Sequence, residues 1–158
     1  SRYSGQVAGD QFTEAEFVKV QNNQDLVKRV DIFLEIAESR LKEIRRRLNN
    51  EAWKEKEANP LEFYTLEQMV HAYDRALNST MVNIDEKVKY KLVKPKDVKK
   101  VLEKLNSKVV EFTPQLQPVK ESAVKNNDAV LYREVVEAEK TTEIARKGSL
   151  YGLGAPAK

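Results

Sequence analysis

His71 is the only histidine in the chain, with Glu67 four residues before it and Asp74 three after it. On a helix that spacing brings an imidazole and two carboxylates to neighbouring faces. These are the residue types that bind a metal or move a proton. Carboxylate-bridged di-metal bundles, however, draw Glu-x-x-His from two helices and add further glutamates. Here the spacing is Glu-x-x-x-His and it occurs once. The preferred reading is a histidine on a charged helix face, with a metal-dependent bundle enzyme as second alternative. Haem ligation by a Met/His pair would need Met69 or Met81, which fall in the same predicted helix as His71. Side chains two apart on a helix diverge by roughly 160°, so they do not clamp one iron. The methionines read as core filler, and no metal or cofactor is assigned.

Other catalytic patterns are missing. The chain has no cysteine, which excludes disulfides, Cys-based metal sites and covalent haem attachment. It has no Gly-x-Ser-x-Gly elbow, no P-loop and no Gly-x-Gly-x-x-Gly turn. No pair of its many glutamates is singled out for acid–base work. Most should be solvated, with i,i+4 partners such as Glu38 and Lys42. The chain is therefore read as a non-enzyme.

Charge is the uneven feature. Residues 1–86 carry a net −4, residues 87–108 a net +7 from nine lysines and two acids, and residues 109–158 a net of zero. Lys94, Lys96, Lys99 and Lys100 are the candidate anion-binding residues. Such a cluster would give salt-sensitive affinity for a polyanion or an anionic surface. It lacks arginine, and Tyr90 is its one aromatic. Sequence-reading proteins favour arginine forks and single-strand binders favour stacking rings, so nucleic acid is not the expected partner. The alternative is a lysine-rich junction that serves solubility. Arg45-Arg46-Arg47 lies between Glu43 and Glu51 and reads as a local ion-pair face, with Arg46 and Arg47 the more exposed.

Helices must position these groups. Charged residues make up 34% of 158, and Gly and Pro number five each, a composition that favours helix. Thr13-x-x-Glu16 is a capping box that starts the first helix. Val27, Leu34, Leu41 and Leu48 then form one heptad row, and Val30, Ala37 and Ile44 the other. Asn22-Asn23 marks an early break or bend, with Asp25 as an alternative cap. Asn59-Pro60 ends that segment. Thr65-x-x-Gln68 opens the next helix, which carries Met69, Tyr73, Leu77, Ile84 and Val88. Pro95 and Asp97 open a third, carrying Val98 to Phe112, and Thr113-Pro114 stops it. Pro118 opens the fourth, where Val124, Leu131, Ala138 and Ala145 recur every seven residues, flanked by Val130 and Ile144. Gly148 is read as its C-cap. Trp53, Phe63 and Tyr64 either cap one end of the bundle or line a groove.

The expected fold is thus all-α: one domain, 1–158, forming an antiparallel, up-down four-helix bundle with a long first helix. The helices span 13–58, 65–93, 96–112 and 118–147, between an N-terminal arm (1–12) and a flexible tail (148–158). No segment has the ~20 apolar residues of a membrane span. The expected function is a soluble, non-enzymatic interaction or structural module, with a protein partner or a second copy. The alternative is polyanion or anionic-surface binding through 87–108. Because the first residue is Ser1, export after signal-peptide removal is favoured over a cytoplasmic location.

Overall fold

A computed structural model describes residues 9–154, and every described secondary-structure element is helical. The five helices are α1 (Glu14–Gln21), α2 (Leu26–Leu48), α3 (Leu66–Lys89), α4 (Pro95–Lys125) and α5 (Ala129–Gly152). Both predicted capping boxes form. The Thr13 hydroxyl accepts from the Glu16 N–H at 3.1 Å and the Glu16 carboxylate from the Thr13 N–H at 2.8 Å. Thr65 and Gln68 repeat the exchange at 3.1 and 2.9 Å. Each satisfies two of the amide donors that a helix start leaves open.

The expected helix over 13–58 is two shorter ones. α1 stops at Asn22, and the Asp25 carboxylate caps α2 by accepting from the Lys28 N–H at 3.1 Å. α2 ends ten residues before the predicted boundary, at Leu48. There Asn50 adopts the left-handed conformation (φ 53°), the Glu51 N–H reaches the Arg46 carbonyl at 2.9 Å and the Asn50 N–H reaches Arg47 at 3.1 Å. This Schellman closure uses up the carbonyls that a further turn would need.

The expected stop at Thr113-Pro114 is overturned, because α4 runs through both Pro114 and Pro118. The two prolines stand one turn apart on an exposed face. They deprive the Val110 and Pro114 carbonyls of their helical partners, and Val110 lies on that same exposed face. Water can satisfy those carbonyls, so the helix continues. Leu116, Val119 and Ala123 extend its buried stripe past the prolines. The real break comes at Asn127 (φ 53°), with the Asp128 N–H on the Ala123 carbonyl at 2.9 Å. The Asp128 carboxylate then caps α5 from the Leu131 N–H at 3.0 Å. The fourth helix therefore starts at Ala129 rather than 118, and Val124, assigned to its core, is exposed on α4. Gly148 lies inside α5, which continues to Gly152, so the predicted tail begins later.

Residues 1–8 of the predicted arm, and 155–158 of the tail, lie outside the described residues. Of the rest of the arm, Phe12 is buried with its ring 6.3 Å from that of Phe33. The Gln11 carbonyl accepts from Arg40 at 2.8 Å. This end of the chain is thus fixed by a core aromatic and a buried guanidinium.

α2 packs against α3 and α4, α5 packs against the same two, and α1 lies on α2. The heptad reading of α2 holds: Val30, Leu34, Ala37, Leu41 and Ile44 are all buried, while Val27 and Leu48 pack at the margin. Tyr73 stands edge-on to Phe112, with centroids 5.7 Å apart, where α3 meets α4. Met69 and Leu77 fill the space around it. Val88, Val130 and Ile144, expected in the core, are exposed. Each fully buried Leu or Ile contributes about 1.5–3 kcal/mol through removal of apolar surface from water. Among the described residues no helix is long and apolar enough to cross a membrane.

Candidate docking site between helices α3 and α4

α3 ends at Lys89 in another Schellman closure, with the Leu92 N–H on the Lys87 carbonyl at 2.9 Å and the Lys91 N–H on Val88 at 3.1 Å. Lys91 takes the left-handed position (φ 53°), which favours glycine or asparagine. Leu92 follows at the position that often packs back on the helix, yet it is 66% exposed. Lys94 is the N-cap of α4, where Ser, Asp or Asn would close an open amide; its side chain makes no capping bond. The junction therefore puts lysine at two adjacent positions whose backbone favours other residues.

All four predicted anion-binding residues, Lys94, Lys96, Lys99 and Lys100, are exposed at this end. Among the described residues Lys94, Lys96 and Lys100 make no ion pair, nor do Lys87, Lys89 and Lys91; Lys99 lies 3.9 Å from Glu103. Further along α4 the pattern changes. Lys104 is paired with Asp31 and Lys108 with Glu38 at 3.1 Å and Glu111 at 3.2 Å. These last two tie α4 to α2, so the run predicted over 87–108 divides into lysines near 87–100 that, Lys99 apart, make no ion pair among the described residues, and structural ones beyond.

Beside Lys91 and Lys99 lies an apolar cleft of ≈ 750 Å³, lined by Val88, Val93, Pro95, Val98, Leu102 and Leu153 together with these two lysines. The end of α5 closes its far side. A Cβ placed on Gly152 would stand 2.7 Å from a Leu102 methyl, so a larger residue there would push the Leu102 side chain aside. Tyr90 (62% exposed), Leu92 and Tyr151 (83% exposed) project around the cleft. The Lys89 ammonium sits 5.4 Å from the Tyr90 ring centre. The arrangement offers apolar surface beside exposed lysines.

The other candidates come out differently. Both ring nitrogens of His71 face oxygen atoms, the Gly9 carbonyl at 2.8 Å and the Glu134 carboxylate at 3.2 Å. Glu67 turns instead to Asp128, and this contact holds the Asp128 carboxyl below its usual range. Burial raises the Asp74 carboxyl above its usual range, opposed by a hydrogen bond from the Thr141 hydroxyl. The trio thus diverges, and among the described residues no three His, Cys, Asp or Glu side chains are placed to share a metal ion. Arg46 and Arg47 both close on Glu43, at 2.8 and 2.9 Å, and are half-buried; Arg45 is the exposed one, bonded to Gln115. The expected pair of Glu38 with Lys42 gives way to Glu38 with Lys108. Trp53 stacks on Arg46 and borders a cleft of ≈ 380 Å³, Tyr64 packs on the core, and Phe63 is 91% exposed.

Compared with protein-family models, with curated proteins and with solved structures, the chain matches none. The site therefore has to be read from its own residues. Sequence spacing found the lysines but missed the apolar half. Val88 fits the helical period of a core residue, yet it is exposed. Leu92 looked like a helix end, and Gly152 and Leu153 like tail. The available signal was two apolar residues, Leu92 and Val93, placed between lysines just after a helix stop.

Proposed function

We propose that the protein is a non-enzymatic docking module, a four-helix bundle of α2–α5 braced by α1, which binds an anionic partner surface through its α3–α4 end. The bundle reading rests on which side chains meet. Arg29 bonds Asn83, and Arg47 bonds the Leu61 and Tyr64 carbonyls just before α3, so α2 and α3 run oppositely. Asn106 meets Ser149 and Lys120 meets Glu139, which supports an antiparallel α4 and α5 as well. Asp31, Glu38 and Arg45 meet Lys104, Lys108 and Gln115 in order, so α2 and α4 run alongside in the same sense.

One observation carries the docking reading: an apolar cleft lined in part by Lys91 and Lys99 lies in the 87–102 segment, where six lysines have no ion-pair partner among the described residues. Lysines kept for solubility alone have no reason to surround exposed valine and leucine. Two of them, Lys91 and Lys94, also occupy cap positions that cost stability. Local rules broken together in one place mark a functional surface. The affinity would combine counterion release with burial of the cleft.

The test is retention on immobilised heparin, a plain polyanion, with elution by salt. The variant Lys94→Glu, Lys96→Glu, Lys99→Glu and Lys100→Glu should elute at much lower salt than the parent. A control reversing Lys42, Lys54, Lys56 and Lys125, all exposed and outside the 87–108 segment, changes net charge equally and should elute close to the parent. Equal loss in both variants would reduce the effect to net charge and overturn the assignment of the site.

A further inference from the structure

We infer that the anionic partner is a lipid bilayer surface, which the α3–α4 tip enters with Tyr90 and Leu92 while the surrounding lysines meet the headgroups. This rests on the docking reading above and narrows its partner class. The first reason is where the apolar surface lies. Tyr90 and Leu92 are more exposed than the valines and leucines that line the cleft beside them, and they stand at the turn between α3 and α4. A peptide groove would place its strongest apolar contacts inside the cleft. A tip that carries them outermost suits a soft, deformable apolar phase.

The second reason is the kind of charge. Residues 87–100 hold seven lysines, one acid (Asp97) and no arginine. Recognition of fixed carboxylates or phosphates in a folded partner favours the planar, forked guanidinium. Lysine is a point charge on a long apolar stem. It can lay that stem along the bilayer interface and keep its ammonium at the headgroups, wherever they diffuse. Tyrosine is the matching aromatic, with an apolar ring and a polar hydroxyl suited to headgroup depth.

The third reason is the alternation Lys89-Tyr90-Lys91-Leu92-Val93-Lys94. The Schellman turn folds it into a compact knob, so apolar and cationic groups occupy one patch rather than opposite faces of a helix. Since no described helix can span a bilayer, the contact is peripheral and reversible.

The experiment is co-sedimentation of the full chain with large unilamellar vesicles. One set is phosphatidylcholine alone and the other contains roughly 30 mol % phosphatidylserine, at about 0.1 M salt. The protein should pellet with the anionic vesicles only and be released at about 1 M salt, where charges are screened within ~3 Å. The Lys94/Lys96/Lys99/Lys100→Glu variant should lose binding by more than about tenfold. Tyr90→Ser with Leu92→Ser should weaken vesicle binding by about tenfold yet leave heparin elution unchanged. Both residues are exposed, so this variant should keep its far-ultraviolet circular dichroism. A protein that holds heparin but ignores anionic vesicles would overturn the lipid assignment and leave docking standing. If it instead held soluble poly-glutamate, the partner would be an acidic protein segment. Failure on heparin and vesicles alike would overturn both readings.

Discussion

Arg40 is wholly buried and meets Glu16 through two parallel bonds, Nη1 to Oε2 at 2.6 Å and Nη2 to Oε1 at 2.7 Å. The guanidinium also donates to the Gln11 carbonyl and the Ser39 hydroxyl, and it lies 5.7 Å from the Tyr64 ring centre. Glu16 is at the same time the carboxylate of the first capping box. One ion pair therefore joins α1, the segment before it and α2. A buried cation stripped of its partner is far more costly than a pair removed whole.

Glu16→Ala should accordingly lower stability by about 3 kcal/mol, because it leaves Arg40 buried and unpaired and also removes half of a cap. Arg40→Met combined with Glu16→Gln should cost clearly less, since the unbranched apolar chain of methionine fills most of the space and no charge stays behind. Urea unfolding of the three proteins decides the matter. A double variant as unstable as Glu16→Ala would show that the pair itself, rather than its broken half, supplies the stability.

The Tyr73 hydroxyl and the Thr142 hydroxyl meet at 2.6 Å between α3 and α5, both buried. Burial pushes the Tyr73 phenol well above its ordinary pKa. Their situations are unequal. Thr142 also donates to the Ala138 carbonyl at 2.7 Å, so Tyr73 is left to donate its only proton to Thr142. Tyr73→Phe leaves Thr142 bonded and should cost less than about 1 kcal/mol. Thr142→Val strands a buried phenol and should cost about 2 kcal/mol. Thermal unfolding of both reads the asymmetry, and equal losses would mean that packing, not the hydrogen bond, sets the cost.

Much of this fold was legible in the sequence because helix starts announce themselves. Thr13/Glu16, Thr65/Gln68 and Asp25 act locally, within one turn, and every one of them caps as its residue type suggests. Helix ends proved harder for two reasons. Pro114 and Pro118 read as breakers, but whether a proline breaks a helix depends on whether its orphaned carbonyls can reach water, and that depends on the face it occupies in the tertiary packing. The true stops, at Asn50, Lys91 and Asn127, depend on one residue accepting a positive φ. Asparagine hints at that, and lysine does not. The heptad row Leu131, Ala138 and Ala145 is buried as expected, but it does not extend back across the break at Asn127 to Val124, and the flanking Val130 and Ile144 fall outside the stripe that packing covers. The docking site suffered in the same way: charge can be summed along a chain, whereas the cleft exists only once the end of α5 folds back beside Leu102.

Glu43 gives a prediction in pH. Its carboxylate is almost completely buried and accepts from Arg46, Arg47 and Asn59. Hydrogen bonding from Arg46 first, then from Arg47 and Asn59, outweighs burial and lowers its pKa from 4.5 to about 2. A carboxylate whose pKa falls on folding stabilises the fold fully above its unfolded value, and the contribution fades as pH drops through the folded value. Glu43→Gln should thus be less stable than the parent by about 2 kcal/mol at neutral pH. The gap should narrow below about pH 4.5 and close near pH 2. Denaturant midpoints measured across that window provide the check; a gap that stays constant with pH would assign the effect to shape rather than charge.

Lys91 sets stability against docking. Its left-handed backbone costs a residue with a Cβ about 1 kcal/mol more than glycine, partly offset by the greater freedom of glycine in the unfolded chain. Lys91→Gly should therefore raise stability by about 0.5 kcal/mol while removing one cation from the α3–α4 end. Heparin elution should move to lower salt by less than in the fourfold charge reversal. Lys91→Asn offers the same backbone tolerance with a side chain, and should match both effects. If both variants gained stability and bound heparin as tightly as the parent, Lys91 would lie outside the contact and the surface would have to be redrawn around Lys94 to Lys100.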